Sequence, residues 1–508
     1  MGTALAILLV ATGAACDSEV RDADAAQPPE SASPAGGGQA EGARVDSGAP
    51  LSEDTLTFGR FGRVVLYRRT EQPANVVLFI SGDGGWNLGV IDMAHELSAM
   101  DALVVGIDIR RYLAALRSTT DACPYPAADF EALSQYVQKR LGFRRYAVPV
   151  LVGYSSGATL AYATLVQAPP NTFRGAISMG FCPDLPLARP LCKGSGLAQA
   201  ALSKGRGYRF LPMTARPVAW TALQGTDDQT CFADSTQAFV QQTMGGRIVL
   251  LPKVGHGFGV ERRWMPQFRE AFSRIVNAPG ADRAAQAPAV RDLPLVEVRG
   301  SGLSSAGRAA AVLPLSSALA VVLSGDGGWA SIDRELGASL AARGVPVVGW
   351  NSLEYFWRGR TPEEAARDLE RVLRYYQSAW GKDQVLLVGY SLGADVLPFM
   401  ASRLPDDLRS RIQAVALLGA SPTASFEFHL TDWLGGRDRD ARSTVPEIAR
   451  LRAALPGAHI VCFYGSDERE SICPRLAAGT ARAIALPGGH HFDGNYAALA
   501  ERVLQAAR

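Results

Sequence analysis

Two serines in this chain sit between paired glycines, in Gly153-Tyr154-Ser155-Ser156-Gly157 and in Gly389-Tyr390-Ser391-Leu392-Gly393. Each pentapeptide follows an apolar run, Val148 to Val152 or Val385 to Val388, and precedes a helix-like stretch. Glycine on both sides lets a serine occupy a tight strand-to-helix turn with its hydroxyl exposed. That turn is the nucleophile elbow of an α/β-hydrolase. A serine hydroxyl attacks an ester only when a base removes its proton, and imidazole titrates near neutrality. A carboxylate then holds the imidazole tautomer and stabilises the imidazolium.

In this fold the triad arrives in the order Ser, acid, His. The second half offers Ser391, then Asp467 beyond the apolar run ending at Tyr464, then His490 beyond Leu486. Glu468 is an alternative acid and His491 an alternative base. The first half offers Ser155, Asp227 and His256 in matching places. The echo of Gly225-Thr226-Asp227 in Gly465-Ser466-Asp467 favours the two aspartates. Gly255-His256-Gly257-Phe258 against Gly489-His490-His491-Phe492 favours His490, whereas ungapped alignment on the shared Leu-Pro favours His491. An oxyanion hole takes two backbone N–H groups. Leu392 and Asp326 are the candidates in the second half, Ser156 and Asp83 in the first. Asp326, Trp329 and His429 are candidate substrate contacts. A helix-capping turn competes with that reading for Asp326, and core packing competes with it for Trp329.

These residues recur because the chain repeats. Ser81-Gly82-Asp83-Gly84-Gly85-Trp86 returns unchanged as Ser324-Gly325-Asp326-Gly327-Gly328-Trp329, and all matched positions are offset by 234 to 243 residues. A period that long means a duplicated domain, not a solenoid. The elements that carry the motifs are runs apolar throughout, such as Val76 to Ile80, Leu103 to Ile107, Leu319 to Leu323 and Ala414 to Leu418, alternating with amphipathic segments. That alternation predicts a parallel sheet buried on both faces. Thr361-Pro362-Glu363-Glu364 predicts a helix start, with Thr as cap and Pro in the first helical position. The predicted fold class is α/β: two tandem α/β-hydrolase-like domains, each a mostly parallel sheet with helices on both faces and no large cap.

Residues 1–16 read as a signal peptide, with an apolar core from Ala4 to Val10 and small residues before Cys16, a candidate lipidation site. Residues 17–50 are Ala-, Gly-, Pro- and Ser-rich and read as a disordered linker. Residues 51–280 form the N-terminal domain, 281–292 a linker and 293–508 the C-terminal domain. The other six cysteines, Cys123, Cys182, Cys192, Cys231, Cys462 and Cys473, are even in number and suggest disulfides in an exported protein. Cys462 with Cys473 is the one pairing inside the second domain, and three pairings are open in the first. No Cys/His spacing suggests a metal, no motif calls for a cofactor, and a net charge of +2 gives no reason to expect nucleic acid.

The second half resembles the AcvB/VirJ family of bacterial virulence proteins. The resemblance rests on the Ser324 to Trp329 motif, on Gly389-Tyr390-Ser391-Leu392-Gly393-Ala394-Asp395-Val396-Leu397-Pro398-Phe399, on Phe426-Glu427-Phe428-His429, and on Leu486-Pro487-Gly488-Gly489-His490-His491-Phe492-Asp493-Gly494. The tandem arrangement is similar to the longer AcvB form. The resemblance implies a periplasmic enzyme that hydrolyses the aminoacyl ester of lysyl-phosphatidylglycerol, with the elbow serine as nucleophile. The partner it implies is an aminoacylated phospholipid at a membrane surface; the candidate lipidation site Cys16 offers a separate expectation of inner-membrane attachment. A general periplasmic esterase or thioesterase, and a non-catalytic secretion partner, are the competing expectations.

Overall fold

The computed structural model describes residues 50–87, 89–278, 288–300, 317–429 and 441–507. The predicted signal peptide, Cys16, nearly all of the first linker and residues 281–287 lie outside the described residues.

The first half opens with an antiparallel pair, β1 (Ser52–Phe58) and β2 (Gly62–Arg68). There follow β3 (Asn75–Ile80), α1 (Gly89–Ala99), β4 (Ala102–Ile107), α2 (Ile109–Ser118), α3 (Pro126–Arg140), β5 (Val150–Tyr154), α4 (Ser156–Gln167) and β6 (Gly175–Met179). A small three-stranded sheet of β7 (Asp184–Leu185), β8 (Gln199–Ala201) and β9 (Tyr208–Phe210) is inserted next. The half closes with β10 (Trp220–Gly225), α5 (Ala233–Gln242), β11 (Gly246–Leu251) and α6 (Met265–Asn277).

The second half runs β12 (Leu295–Val298), β13 (Ala318–Leu323), α7 (Ser331–Ala342), β14 (Val347–Trp350), α8 (Ser352–Tyr355), α9 (Pro362–Trp380), β15 (Gln384–Tyr390), α10 (Leu392–Ala401), α11 (Asp406–Arg409) and β16 (Ile412–Leu418). A short pair, β17 (Thr423–Ala424) and β18 (Arg442–Ser443), precedes α12 (Thr444–Ala454), β19 (His459–Gly465), β20 (Arg482–Leu486) and α13 (Tyr496–Ala506).

The two main sheets have the same topology. The first is ordered β1-β2-β4-β3-β5-β6-β10-β11 and the second β12-β14-β13-β15-β16-β19-β20. From β4 and from β14 onward every pairing is parallel, and the antiparallel strands lie at one edge. Alternate residues of each central strand feed two cores, one per face. Val76, Leu78 and Ile80 pack on one side of β3 while Val77 and Phe79 pack on the other. Leu319, Val321 and Leu323 likewise oppose Ala318, Ala320 and Val322 on β13. This is why the strands read as unbroken apolar runs.

α9 begins as its sequence predicts: Thr361 Oγ1 accepts the Glu364 N–H at 3.1 Å and Glu364 accepts the Thr361 N–H at 2.8 Å. In both halves the chain goes from the first parallel strand outward to one side (β3 to β4, β13 to β14), then returns to the other side (β5, β15). The strand order therefore reverses beside β3/β5 and β13/β15, and the crevice at their carboxyl ends is where such sheets place ligands.

Two candidate active sites

Both elbows are built as the glycines predict. Ser155 has φ 54° and ψ −123°, and Ser391 has φ 53° and ψ −120°. Positive φ is costly for a non-glycine residue and is typical of strained functional turns. The flanking glycines permit the turn because the helix start presses on the strand. A Cβ on Gly153 would stand 2.1 Å from the Gly157 carbonyl, and one on Gly389 would stand 2.3 Å from the Gly393 carbonyl. The turn after the first parallel strand comes equally close. A Cβ on Gly82 would lie 3.0 Å from Ser155 Cβ, and one on Gly325 would lie 3.3 Å from Ser391 Cβ. The repeated SGDGGW turns are thus held against the nucleophiles, with Asp83 and Asp326 next in the chain.

In the first half the triad is hydrogen-bonded throughout. Ser155 Oγ lies 3.0 Å from His256 Nε2, and His256 Nδ1 lies 2.8 Å from Asp228 Oδ2. The acid is Asp228 and not Asp227. Asp228 is 3% exposed, and its other oxygen accepts the N–H groups of Thr230 and Cys231 at 2.9 and 2.8 Å. Asp227 is exposed and accepts the Thr226 hydroxyl, while its own N–H donates to the Val254 carbonyl.

The second half repeats the correction. His490 Nδ1 lies 2.6 Å from Glu468 Oε1, and Glu468 Oε2 accepts the Gly465 N–H at 3.1 Å. Asp467 is exposed, and its N–H donates to the Gly488 carbonyl. Burial pushes the Glu468 carboxyl up, but the hydrogen bonds from His490 and Gly465 outweigh it and hold it below its ordinary value. Of the two histidines, His490 meets the carboxylate. His491 is exposed, with Nδ1 at 3.1 Å from the Tyr390 hydroxyl. The aspartates that the repeat singles out are turn residues, and the functional carboxylates stand one position later.

The remaining candidates divide. Leu392 is the first residue of α10 and Ser156 the first of α4, so neither N–H has an intrahelical acceptor. Asp326 is half-buried in a turn closed by the Gly328 N–H on the Gly325 carbonyl at 3.1 Å. Asp83 is exposed, and its carboxylate takes a hydrogen bond from Ser156 Oγ. Trp329 is not a substrate contact. It is 5% exposed in the core, over Gly349, where a Cβ would meet its ring at 2.4 Å. His429 is half-buried at the end of the described part of its loop.

Two further roles escaped the sequence. The elbow tyrosines tie the histidine loops: Tyr154 donates to the His256 carbonyl at 3.0 Å, and Tyr390 to the His490 carbonyl at 3.4 Å. Gly180 and Gly419 make room for the imidazoles, since a Cβ there would stand 3.2 and 2.7 Å from His256 and His490. Three disulfides, Cys123–Cys192, Cys182–Cys231 and Cys462–Cys473, include one beside each acid. Asp228, Cys231 and His256 are close enough to suggest a metal set, but Cys231 is bridged and the other two bond each other.

The comparison with curated proteins gives no match. Among solved structures the chain is similar to the esterase domain of a Rhodothermus marinus protein, at 15% identity and TM-score 0.30, covering 44% of this chain and 98% of that one. It is similar to an α/β serine hydrolase without a lid from Xanthomonas campestris, at 19% identity and TM-score 0.29, covering 44% and 93%. A dienelactone hydrolase from Anabaena variabilis matches at 14% identity and TM-score 0.32, covering 44% and 95%. The family model described as bacterial virulence protein (VirJ) matches residues 74–179 and 317–508. Those segments make up more than half of the chain and carry both elbows and the whole second triad, so this α/β-hydrolase-fold protein belongs to the VirJ family of bacterial virulence proteins.

Proposed function

We propose that this chain is a serine ester hydrolase whose principal site is Ser391, His490 and Glu468. The observation that carries the reading is the strained Ser391 elbow, whose neighbour Tyr390 donates to the His490 carbonyl, together with a His490 ring already held by an ionised, hydrogen-bonded carboxylate. His490 takes the Ser391 proton as Oγ bonds to the ester carbonyl carbon. The oxyanion is met by the Leu392 and Asp326 N–H groups, and the proton passes from His490 to the leaving alcohol. Water, deprotonated by His490, then attacks the acyl carbon, and His490 returns that proton to Ser391 Oγ as the acid leaves. No metal or cofactor enters these steps.

The substrate reading follows the family resemblance: the ester is the aminoacyl ester of lysyl-phosphatidylglycerol, and the leaving alcohol is the lipid glycerol. Asp326 beside the nucleophile supports it, since a carboxylate there suits a cationic acyl group. Three disulfides support an oxidising compartment, which fits the periplasm. Among the described residues no helix is long and apolar enough to cross a membrane, and attachment is assigned to Cys16. The test incubates purified protein with lysyl-phosphatidylglycerol vesicles and measures free lysine. Ser391→Ala should lose at least about a thousandfold of the rate with its fold intact. Retention of a tenth of the rate would overturn the assignment.

The first half supports a second reading. Its relay from Ser155 through His256 to Asp228 is complete, which is more than a retained scaffold needs. We assign it a second hydrolytic site. Ser155→Ala should abolish whatever ester turnover survives Ser391→Ala.

A further inference from the structure

The two sites share one turn but surround it with different charge. In both halves the buried serine that opens SGDGGW holds the start of the next helix. Ser81 Oγ accepts the Ile109 N–H at 3.2 Å, and Ser324 Oγ accepts the Ser352 N–H at 2.9 Å. Those bonds match Asp108, Ile109 and Arg110 to Asn351, Ser352 and Leu353. Asp83 and Asp326 occupy one position, each after the glycine that packs on the nucleophile. Ser156 and Leu392 occupy another, directly after the nucleophile.

The first half satisfies its turn carboxylate. Ser156 Oγ donates to Asp83 Oδ2. At the other end of the turn the Arg110 guanidinium lies against Gly85, where a Cβ would stand 2.0 Å from Nη2. Asp108 fixes Arg110 there, with Nε 3.2 Å from Oδ1 and Nη2 2.9 Å from Oδ2. Asp83 is exposed as well, so water and salt screen its charge. Phe232, four residues past the acid and next to the Cys182–Cys231 bridge, is 62% exposed.

The second half reverses each of these features. Leu392 has no side-chain donor for Asp326. Leu353 stands where Arg110 does and Asn351 where Asp108 does, and a Cβ on Gly328 would meet both, at 3.4 Å from Leu353 Cβ and 2.8 Å from Asn351 Oδ1. Asp326 is half-buried, and its carboxylate has no hydrogen bond or ion pair among the described residues. Ile472, four residues past Glu468, is 2% exposed. A half-buried carboxylate without a donor gains more from an ammonium group than an exposed one already bonded.

We propose that the two sites divide esters by the charge of the acyl group. The Ser155 site hydrolyses esters of uncharged, apolar acids and the Ser391 site those of cationic acids. The residue after each nucleophile determines this specificity, because Ser156 caps the turn carboxylate and Leu392 leaves it open. The inference rests on the serine hydrolase reading of both halves and not on the lipid.

The test labels the full chain with two fluorophosphonates of equal length, one with an uncharged alkyl chain and one ending in an ammonium group. Serine Oγ bonds to phosphorus, fluoride leaves, and the serine proton passes to the histidine. Peptide mass analysis then gives the labelling rate at Ser155 and at Ser391 in the same sample. Ser391 should favour the ammonium probe and Ser155 the uncharged one, each by about tenfold or more, the range of one charge-assisted hydrogen bond. Leu392→Ser should lower the preference of Ser391 for the ammonium probe about tenfold, and Ser156→Leu should raise ammonium labelling of Ser155, with the untouched serine of each variant as the internal control. Equal probe ratios at the two serines overturn the division by charge and leave both halves as serine hydrolases. Ratios that differ but survive both exchanges overturn the role of Ser156 and Leu392. A serine that neither probe labels removes the hydrolase reading of its half, and the division falls with it.

Discussion

At the scale of single residues the acid is the informative case. Asp227 and Asp467 look alike, follow glycine in the same way and are the same residue type, so the repeat points to them. The structure gives the role to Asp228 and Glu468, which differ in type and stand at the same offset from Gly225 and Gly465. The position after a strand fixes which side chain turns toward the histidine, and a longer Glu reaches from there as well as an Asp does. That signal was available as a shared carboxylate three residues past the glycine, but residue identity outweighed it. Glu468→Gln should lower kcat about a thousandfold to ten-thousandfold, the cost of losing the imidazole's tautomer partner. Asp467→Asn should change it less than about twofold. The comparison needs one ester assay and both variants, and equal losses would restore Asp467.

At the scale of elements, strands and helix starts were legible because each obeys one local rule. An apolar run of five or six residues is a strand buried on both faces, and Thr361-Pro362 starts a helix. The antiparallel edge strands β1, β2 and β12 alternate more weakly, and β7 to β9 are two or three residues long. Neither kind carries a period that a sequence window can detect. α10 shows what the sequence leaves open about a helix. Asp395 lies in its first turn, 6% exposed, accepting the Ser421 N–H at 2.6 Å. Burial pushes its pKa well up, and Asp326 and Glu468 push the same way. Its folded pKa therefore exceeds the ordinary carboxyl value of about 4. The stability tied to this group is complete below about pH 4 and is lost as pH rises toward the folded value. Asp395→Asn keeps an acceptor for Ser421 and removes the charge. In urea unfolding its stability relative to wild type should improve between pH 4.5 and pH 8. A difference that does not move with pH would mean that the carboxyl has the same pKa in the folded and unfolded chain.

At the scale of the whole molecule, duplication was plain in the sequence but the seam was not. Short connections between strands predict no large cap, and they say nothing of how the halves touch. The contact runs through residues with no motif: Phe143, Tyr146 and Lys139 on one side, Leu353, Trp357 and Phe428 on the other. A contact between domains leaves no periodic trace along either. Trp357 is 2% exposed. Trp357→Ala should cost about 3–5 kcal/mol of buried contact and uncouple the halves. Calorimetric unfolding should then pass from one transition to two, and a single unchanged transition would mean the seam carries little energy.

The bridges give the two sites different clocks. Cys462 and Cys473 are 0% and 1% exposed, whereas Cys182 is only half-buried. A small thiol can strike Cys182 directly, so inactivation of the first site should speed up in proportion to the reductant added. It can strike the Cys462–Cys473 bridge only after the loop bearing Glu468 opens. Loss of the second site should then reach a ceiling that more dithiothreitol does not raise, and that ceiling is the opening rate of the loop itself. Reductant concentration thus becomes a ruler for motion at one active site and for chemistry at the other.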